Sequence, residues 1–200
     1  MEFSFKGKNI VFNKPLTNLD KFVLKFTSIL ERLGIRYVII SGYVPILFGR
    51  SRDTEDVDLF IEQLSAQKFS GFWEAAKNED FRCINAYSAK QAKEDFLEYG
   101  LAIRFALHDR FIPNFEVKYP KTRLSEYSLD NRIKVIIGEH YLYTSKLELQ
   151  IAFKLYLGTD KDIEDAVHLW DLFKDNLDKQ TVKDFAEDLG VTHKLGKLKW

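Results

Sequence analysis

Cysteine is almost missing from this chain. Cys83 is the only one among 200 residues, which excludes an internal disulfide framework and a thiolate zinc cluster and is the usage of a reducing compartment. The four histidines, His108, His140, His168 and His193, fall into no HxxxH or HExxH spacing, so zinc chemistry is not expected. Proline (4) and glycine (10) are scarce, and no Pro/Gly/Ser-rich linker or internal repeat divides the chain. No apolar run approaches the roughly 18 residues of a membrane span, and the N-terminus MEFSFKGK lacks the hydrophobic stretch of a secretory signal. A cytoplasmic protein with no membrane partner is expected. Neither charge sign is in excess, at 30 basic and 30 acidic residues, which disfavours general DNA binding because that role needs a basic surplus to displace counterions. Basic patches remain around Lys118, Lys121, Arg123, Arg132 and Lys134, and in the Lys194, Lys197, Lys199 tail.

What the chain has is core. Hydrophobic residues make up 46% and phenylalanine alone contributes 17. A chain of this length buries roughly 70% of its unfolded surface and folds without a disulfide or structural metal. Leu19, Phe22, Val23, Phe26, Ile29, Leu30 and Leu33 recur at helical spacing before Gly34, predicting a helix over 18–33. A β-branched run at 37–40 predicts a strand that ends at Ser41-Gly42, and Pro45 suits the first turn of a short helix ending near Gly49. Further strands are expected at 56–61, 81–84, 101–107 and 115–118, and a hairpin over 132–144 turning near Gly138. Helices are expected after Ser65, from Ser88 to Gly100, from Ser145 to Leu157 with a Ser145/Glu148 capping box, after Thr159, and over 177–189. The pattern predicts an α+β fold, a small mixed sheet flanked by helices over residues 1–144, followed by a C-terminal helical unit over 145–200.

The chemistry concentrates in residues 38–61, VIISGYVPILFGRSRDTEDVDLFI. Strand alternation sends Asp56 and Asp58 to one face, with Cα atoms about 7 Å apart, while Val57 and Leu59 point into the core. Two adjacent like charges cost stability unless a cation neutralises them, and a hard divalent ion such as Mg2+ or Mn2+, completed by substrate phosphates, does so. Upstream, Ser41-Gly42 lets backbone approach a ligand closely, and Arg50 and Arg52 carry fork-shaped donors suited to phosphate. Each piece alone also has a plain structural use. An Asp-x-Asp is common surface decoration, Gly42 can end a strand, and Arg50 and Arg52 can be solvated loop charges.

Taken in order, strand, Ser41-Gly42, short helix, Gly49-Arg50, Arg52-x-Thr54-x-Asp56-x-Asp58 and a hydrophobic strand end resemble the nucleotidyltransferase superfamily related to DNA polymerase beta, and within it the AbiEii-like toxin branch. Residues 145–173, SKLELQIAFKLYLGTDKDIEDAVHLWDLF, are similar to that branch's lysine-bearing helix followed by a "KD-x-x-D" helix. The two blocks cover about a quarter of the chain. The resemblance implies metal-dependent transfer of a nucleoside monophosphate from an NTP to a hydroxyl acceptor, on RNA such as a tRNA end or on protein, with release of pyrophosphate. It further implies a place in a toxin-antitoxin pair with a cognate antitoxin or toxin as partner. Asp56 and Asp58 would hold the metal, Ser41, Gly42, Arg50 and Arg52 would meet the NTP, Lys154 would neutralise phosphate, and Asp162 would orient that lysine or help deprotonate the acceptor. A third metal-binding carboxylate, found in many relatives, would be Glu116, with Lys118 on the same strand face; an ordinary strand-surface role for Glu116 stands equally open. Lys154 is preferred to Lys146, whose place in the first helical turn sets a cation against the positive dipole end. Among the helix acids, Asp162 shares its claim with Glu164 and Asp165. Tyr43 stands where the family usually has Gly or Ser, and a non-catalytic nucleotide- or partner-binding module on the same fold is the alternative reading.

Overall fold

The computed structural model describes residues 2–198; Lys199 of the predicted basic tail, and residues 199–200 of the predicted C-terminal unit, lie outside them. The strands are β1 (Phe3–Lys6), β2 (Asn9–Phe12), β3 (Tyr37–Ile39), β4 (Asp56–Ile61), β5 (Phe81–Cys83), β6 (Ile103–Leu107), β7 (Asn114–Lys118), β8 (Ile133–Ile137) and β9 (His140–Thr144). They form one mixed sheet in the order β1-β2-β8-β9-β3-β4-β7-β6-β5. The helices are α1 (Asn18–Arg32), α2 (Tyr43–Leu47), α3 (Ala66–Asn78), α4 (Ala89–Gln91, continued as a π-helical stretch Ala92–Leu97), α5 (Arg123–Asp130), α6 (Leu147–Leu157), α7 (Asp160–Phe173) and α8 (Lys179–Asp188), with a closing 3-10 helix Thr192–Leu198.

The sheet is larger than the small one expected from sequence. The N-terminal hairpin β1–β2 joins it through β8 and escapes prediction because β1, FSFK, is mostly exposed and carries no β-branched run. Helix α5 was also unforeseen. It opens on Thr122, whose side chain accepts from the Ser125 N–H in a reciprocal cap.

Two faces of the central strands do different work. On one, Val57, Leu59 and Ile61 of β4 are buried with Phe105 and Phe115 under α1 and α3. Phe26 of α1 stacks on Phe115 with centroids 4.1 Å apart, and Phe72 of α3 meets Phe105 edge-on at 5.4 Å, which is where the phenylalanine surplus is spent. On the other, Asp56, Asp58 and Phe60 are half-buried, and α5 packs beside β3 and β4. The same apolar cluster that includes Phe26 and Phe115 runs on through Leu147, Ile151, Leu169, Trp170 and Val182 of α6–α8, so the C-terminal helices share their core with the sheet.

Candidate active site

Strand β4 pairs parallel with β7 in a register that sets Asp56 beside Asn114, Asp58 beside Glu116 and Phe60 beside Lys118. Period-two alternation then places Asp56, Asp58, Glu116 and Lys118 on one face. The Lys118 Nζ lies 3.2 Å from Asp58 Oδ1 and 2.8 Å from Glu116 Oε2, and Arg104 of β6 pairs with Glu116 from its other side. Burial pushes the Asp58 carboxyl up, reinforced by Asp56 and Glu116 and only partly offset by Lys118. Burial acts the same way on Glu116, but hydrogen bonds from Lys118 and Arg104 prevail and hold it low. Burial alone would depress the Lys118 ammonium, yet Asp58 and Glu116 outweigh it and raise its pKa, so Lys118 stays charged at neutral pH.

The side chains on this face could hold a divalent ion. Asp56 and Asp58 offer hard oxygens from one strand face, as Mg2+ or Mn2+ prefers when phosphates complete its shell. Glu116, the anticipated third ligand, pairs with Arg104 and Lys118. Among the described residues no group of three acidic, histidine or cysteine side chains is gathered to hold a metal ion.

Ser41 and Gly42 follow β3 directly. Ser41 adopts a left-handed backbone, φ 61°, an uncommon and costly conformation for a residue with a Cβ. Gly42 is required by a neighbour: a Cβ there would stand 2.7 Å from the Arg52 Nη2, which donates to the Gly42 carbonyl at 3.0 Å. Tyr43 is a brace. Its hydroxyl donates to Asp20 Oδ1 at 2.7 Å inside the core, tying α2 to the start of α1, which explains a large residue at that motif position.

The cations expected to meet phosphate have other partners. Arg52 grips the fully buried Asp165 of α7 through Nε (3.0 Å) and Nη2 (2.9 Å). Arg50 pairs with Glu164 and lies 3.7 Å from Asp165. Lys154, 2% exposed, sits 2.7 Å from Asp162 and 3.0 Å from Asp165. Thr159 caps α7 and its hydroxyl also donates to Asp162; burial pulls the Asp162 pKa up, but the hydrogen bonds from Lys154 and from the Thr159 hydroxyl prevail and lower it. The predicted motif residues Arg50, Arg52, Lys154 and Asp162 therefore do meet, but around Asp165, as an ion-pair network that ties the Ser41–Gly42 turn to α6 and α7. Sequence spacing left Asp162, Glu164 and Asp165 undivided, and it could not show that Asp165 is the hub. Ser145 differs from expectation too. Its backbone N–H goes to Ile39 and its hydroxyl accepts from the Gln150 amide, so α6 begins after Lys146 rather than at a Ser145 cap.

A cleft of about 370 Å3 opens between the sheet and α5–α6, walled by Ile40, Phe60, Leu149 and Phe153, with Ser41 and Arg123 also in its lining; Phe60 shares the β4 face of Asp56 and Asp58, which do not themselves line it. That is within the ordinary size range of ligand pockets, about 300–1,000 Å3.

A family described as "Nucleotidyl transferase of unknown function (DUF2204)" matches residues 20–99, the stretch from α1 through the Ser41–Gly42 turn and β4 into α4. The chain superposes on an antigenic nucleotidyltransferase-like protein from Paracoccidioides brasiliensis with TM-score 0.57 at 18% identity, over 93% of this chain and 95% of that one. It likewise superposes on the antibiotic-resistance factor ANT(2'')-Ia in solution, with TM-score 0.57 at 12% identity over 90% and 97% of the two chains. The same factor in complex with adenylyl-2''-tobramycin gives TM-score 0.57 at 12% identity over 88% and 99%. The fold is that of the polymerase-beta-like nucleotidyltransferases. In this chain Asp56 and Asp58 lie on β4, the strand that follows the Ser41–Gly42 turn and α2. No curated protein matches the chain. Among the described residues no helix is long and apolar enough to cross a membrane.

Proposed function

We propose that this chain transfers a nucleoside monophosphate from an NTP to a hydroxyl acceptor. The reading rests on one observation above the rest: two half-buried carboxylates, Asp56 and Asp58, share a sheet face that continues through Phe60 into a cleft bounded by Ser41. The acceptor oxygen bonds to the α-phosphorus as the α,β-bridging P–O bond breaks, and pyrophosphate leaves with the electron pair. A divalent ion, Mg2+ or Mn2+, held by Asp56 and Asp58 would supply the charge that polarises the phosphate. The chain's own part is positioning and electrostatics, the usual basis of phosphoryl and nucleotidyl transfer. Arg52 fixes the Ser41–Gly42 turn from behind, and α7 of the C-terminal unit closes the site by anchoring that arginine through Asp165.

The acceptor in our reading is RNA, such as a tRNA end, or protein, in the setting of a toxin-antitoxin pair. The basic Arg123 in the cleft lining weighs against a polycationic aminoglycoside as the acceptor. One observation favours the alternative of a non-catalytic nucleotide- or partner-binding module: Lys118 already pairs with Asp58. Incubation with each α-labelled NTP, Mg2+ or Mn2+, total RNA and lysate protein separates the two. Label on a macromolecule, with pyrophosphate released, is expected. NTP binding with no pyrophosphate under any acceptor selects the alternative.

A further inference from the structure

Two-ion nucleotidyl and phosphoryl transfer sites place cations on both the attacking and the leaving oxygen. This chain offers carboxylates for one ion and fills the neighbouring position itself. The Lys118 Nζ stands between Asp58 Oδ1, at 3.2 Å, and Glu116 Oε2, at 2.8 Å, on adjacent strands in direct register. Arg104 holds Glu116 from the far side, and among the described residues no three-ligand group exists. A second metal ion would need the oxygens this ammonium already contacts.

We infer that Lys118 is a built-in cation doing the work of a second ion, and that the enzyme uses one divalent ion only. The inference rests on the nucleotidyl-transfer reading above. Lys118 meets the attacking acceptor oxygen and stabilises negative charge as its O–H bond is lost. The O–P bond then forms, the α,β-bridging P–O bond breaks, pyrophosphate departs, and the acceptor proton leaves to water while Lys118 keeps its own. Arg104 and Glu116 are positioning residues. The pair aims the ammonium at Asp58, and a lysine carries three donors on a compact charge, enough to reach both acids.

The decisive measurement is the number of Mn2+ ions bound per full-length chain, read by electron paramagnetic resonance with a saturating α,β-methylene NTP analogue. One ion, with a transfer rate first-order in metal, is expected of the wild type. Two ions in the wild type overturn the inference while leaving nucleotidyl transfer intact. Lys118→Met should bind the analogue and the first Mn2+ within about threefold of wild type yet lose transfer by about 100-fold, the scale of removing one preorganised charge from a transition state. Wild-type transfer by Lys118→Met overturns the inference. Lys118→Asp is expected to admit a second Mn2+, and a count that stays at one contradicts the assignment of that position. Should either variant fail to fold, the wild-type ion count still decides. A wild type that binds neither analogue nor Mn2+ removes both this inference and the reading beneath it.

Discussion

At Asp165 a fully buried carboxylate takes two hydrogen bonds from Arg52 and an ion pair from Lys154. Removing one partner of such a buried set strands the others, so Asp165→Asn should cost about 3–5 kcal/mol in urea unfolding. Glu164 pairs with Arg50 one residue earlier, but its side chain is 64% exposed, and Glu164→Gln should change stability by less than about 1 kcal/mol. Asp20 carries a pH signature. Burial would raise its pKa, but hydrogen bonds from Tyr43, Thr17 and Lys14 override burial and lower it below the ordinary 3.8. A carboxylate depressed in the folded state adds stability above its unfolded pKa, and the gain is lost as pH falls through the folded value. Asp20→Asn should therefore destabilise the protein at pH 7, by about 1–3 kcal/mol for lost bonds to a charged group, with the deficit against wild type shrinking below about pH 4. Unfolding midpoints across pH 3–7 check this. At this scale the acids of β4 were legible because alternation alone assigns faces. The partners of Arg52 and Lys118 were not. Asp165 lies 113 residues from Arg52 and Asp58 lies 60 from Lys118, and no local pattern encodes such a distance.

Elements with a strong local signal were legible: apolar spacing marked α1, Ser65 opens α3 and Thr159 opens α7. The elements that sequence missed or misplaced were decided by tertiary contacts. Ser145 has capping-box spacing to Glu148, yet the chain spends its backbone N–H on β3. The turn between β3 and α2 permits a sharper test. Gly42→Ala inserts a Cβ 2.7 Å from the Arg52 guanidinium and should cost about 1–3 kcal/mol as an overpacking change. Because its damage acts through Arg52, the Gly42→Ala and Arg52→Ala effects should be non-additive by more than about 0.5 kcal/mol in a double-mutant cycle. Additive losses would mean the turn and Arg52 are uncoupled.

For the whole molecule, the apolar cluster continues from the sheet into α6–α8, although the sequence suggests a core followed by an appended unit. Deleting residues 145–200 should expose Phe48, which packs on Phe173, and its neighbours and abolish the cooperative unfolding transition, as followed by circular dichroism. The mixed α+β class was readable from composition and periodicity. The nine-stranded order was not, because β2–β8, β3–β9 and β4–β7 are parallel pairs between distant segments, and pairing of that kind leaves no mark on neighbouring residues. The central claim is that Asp56 and Asp58 grip a divalent ion under a bound triphosphate. Its most direct test is the rate of pyrophosphate release from NTP and acceptor by wild type, Asp56→Asn and Asp58→Asn at matched metal concentration. The account predicts that each variant keeps the wild-type fold and loses about 100-fold or more in rate. Either variant releasing pyrophosphate at the wild-type rate would contradict it.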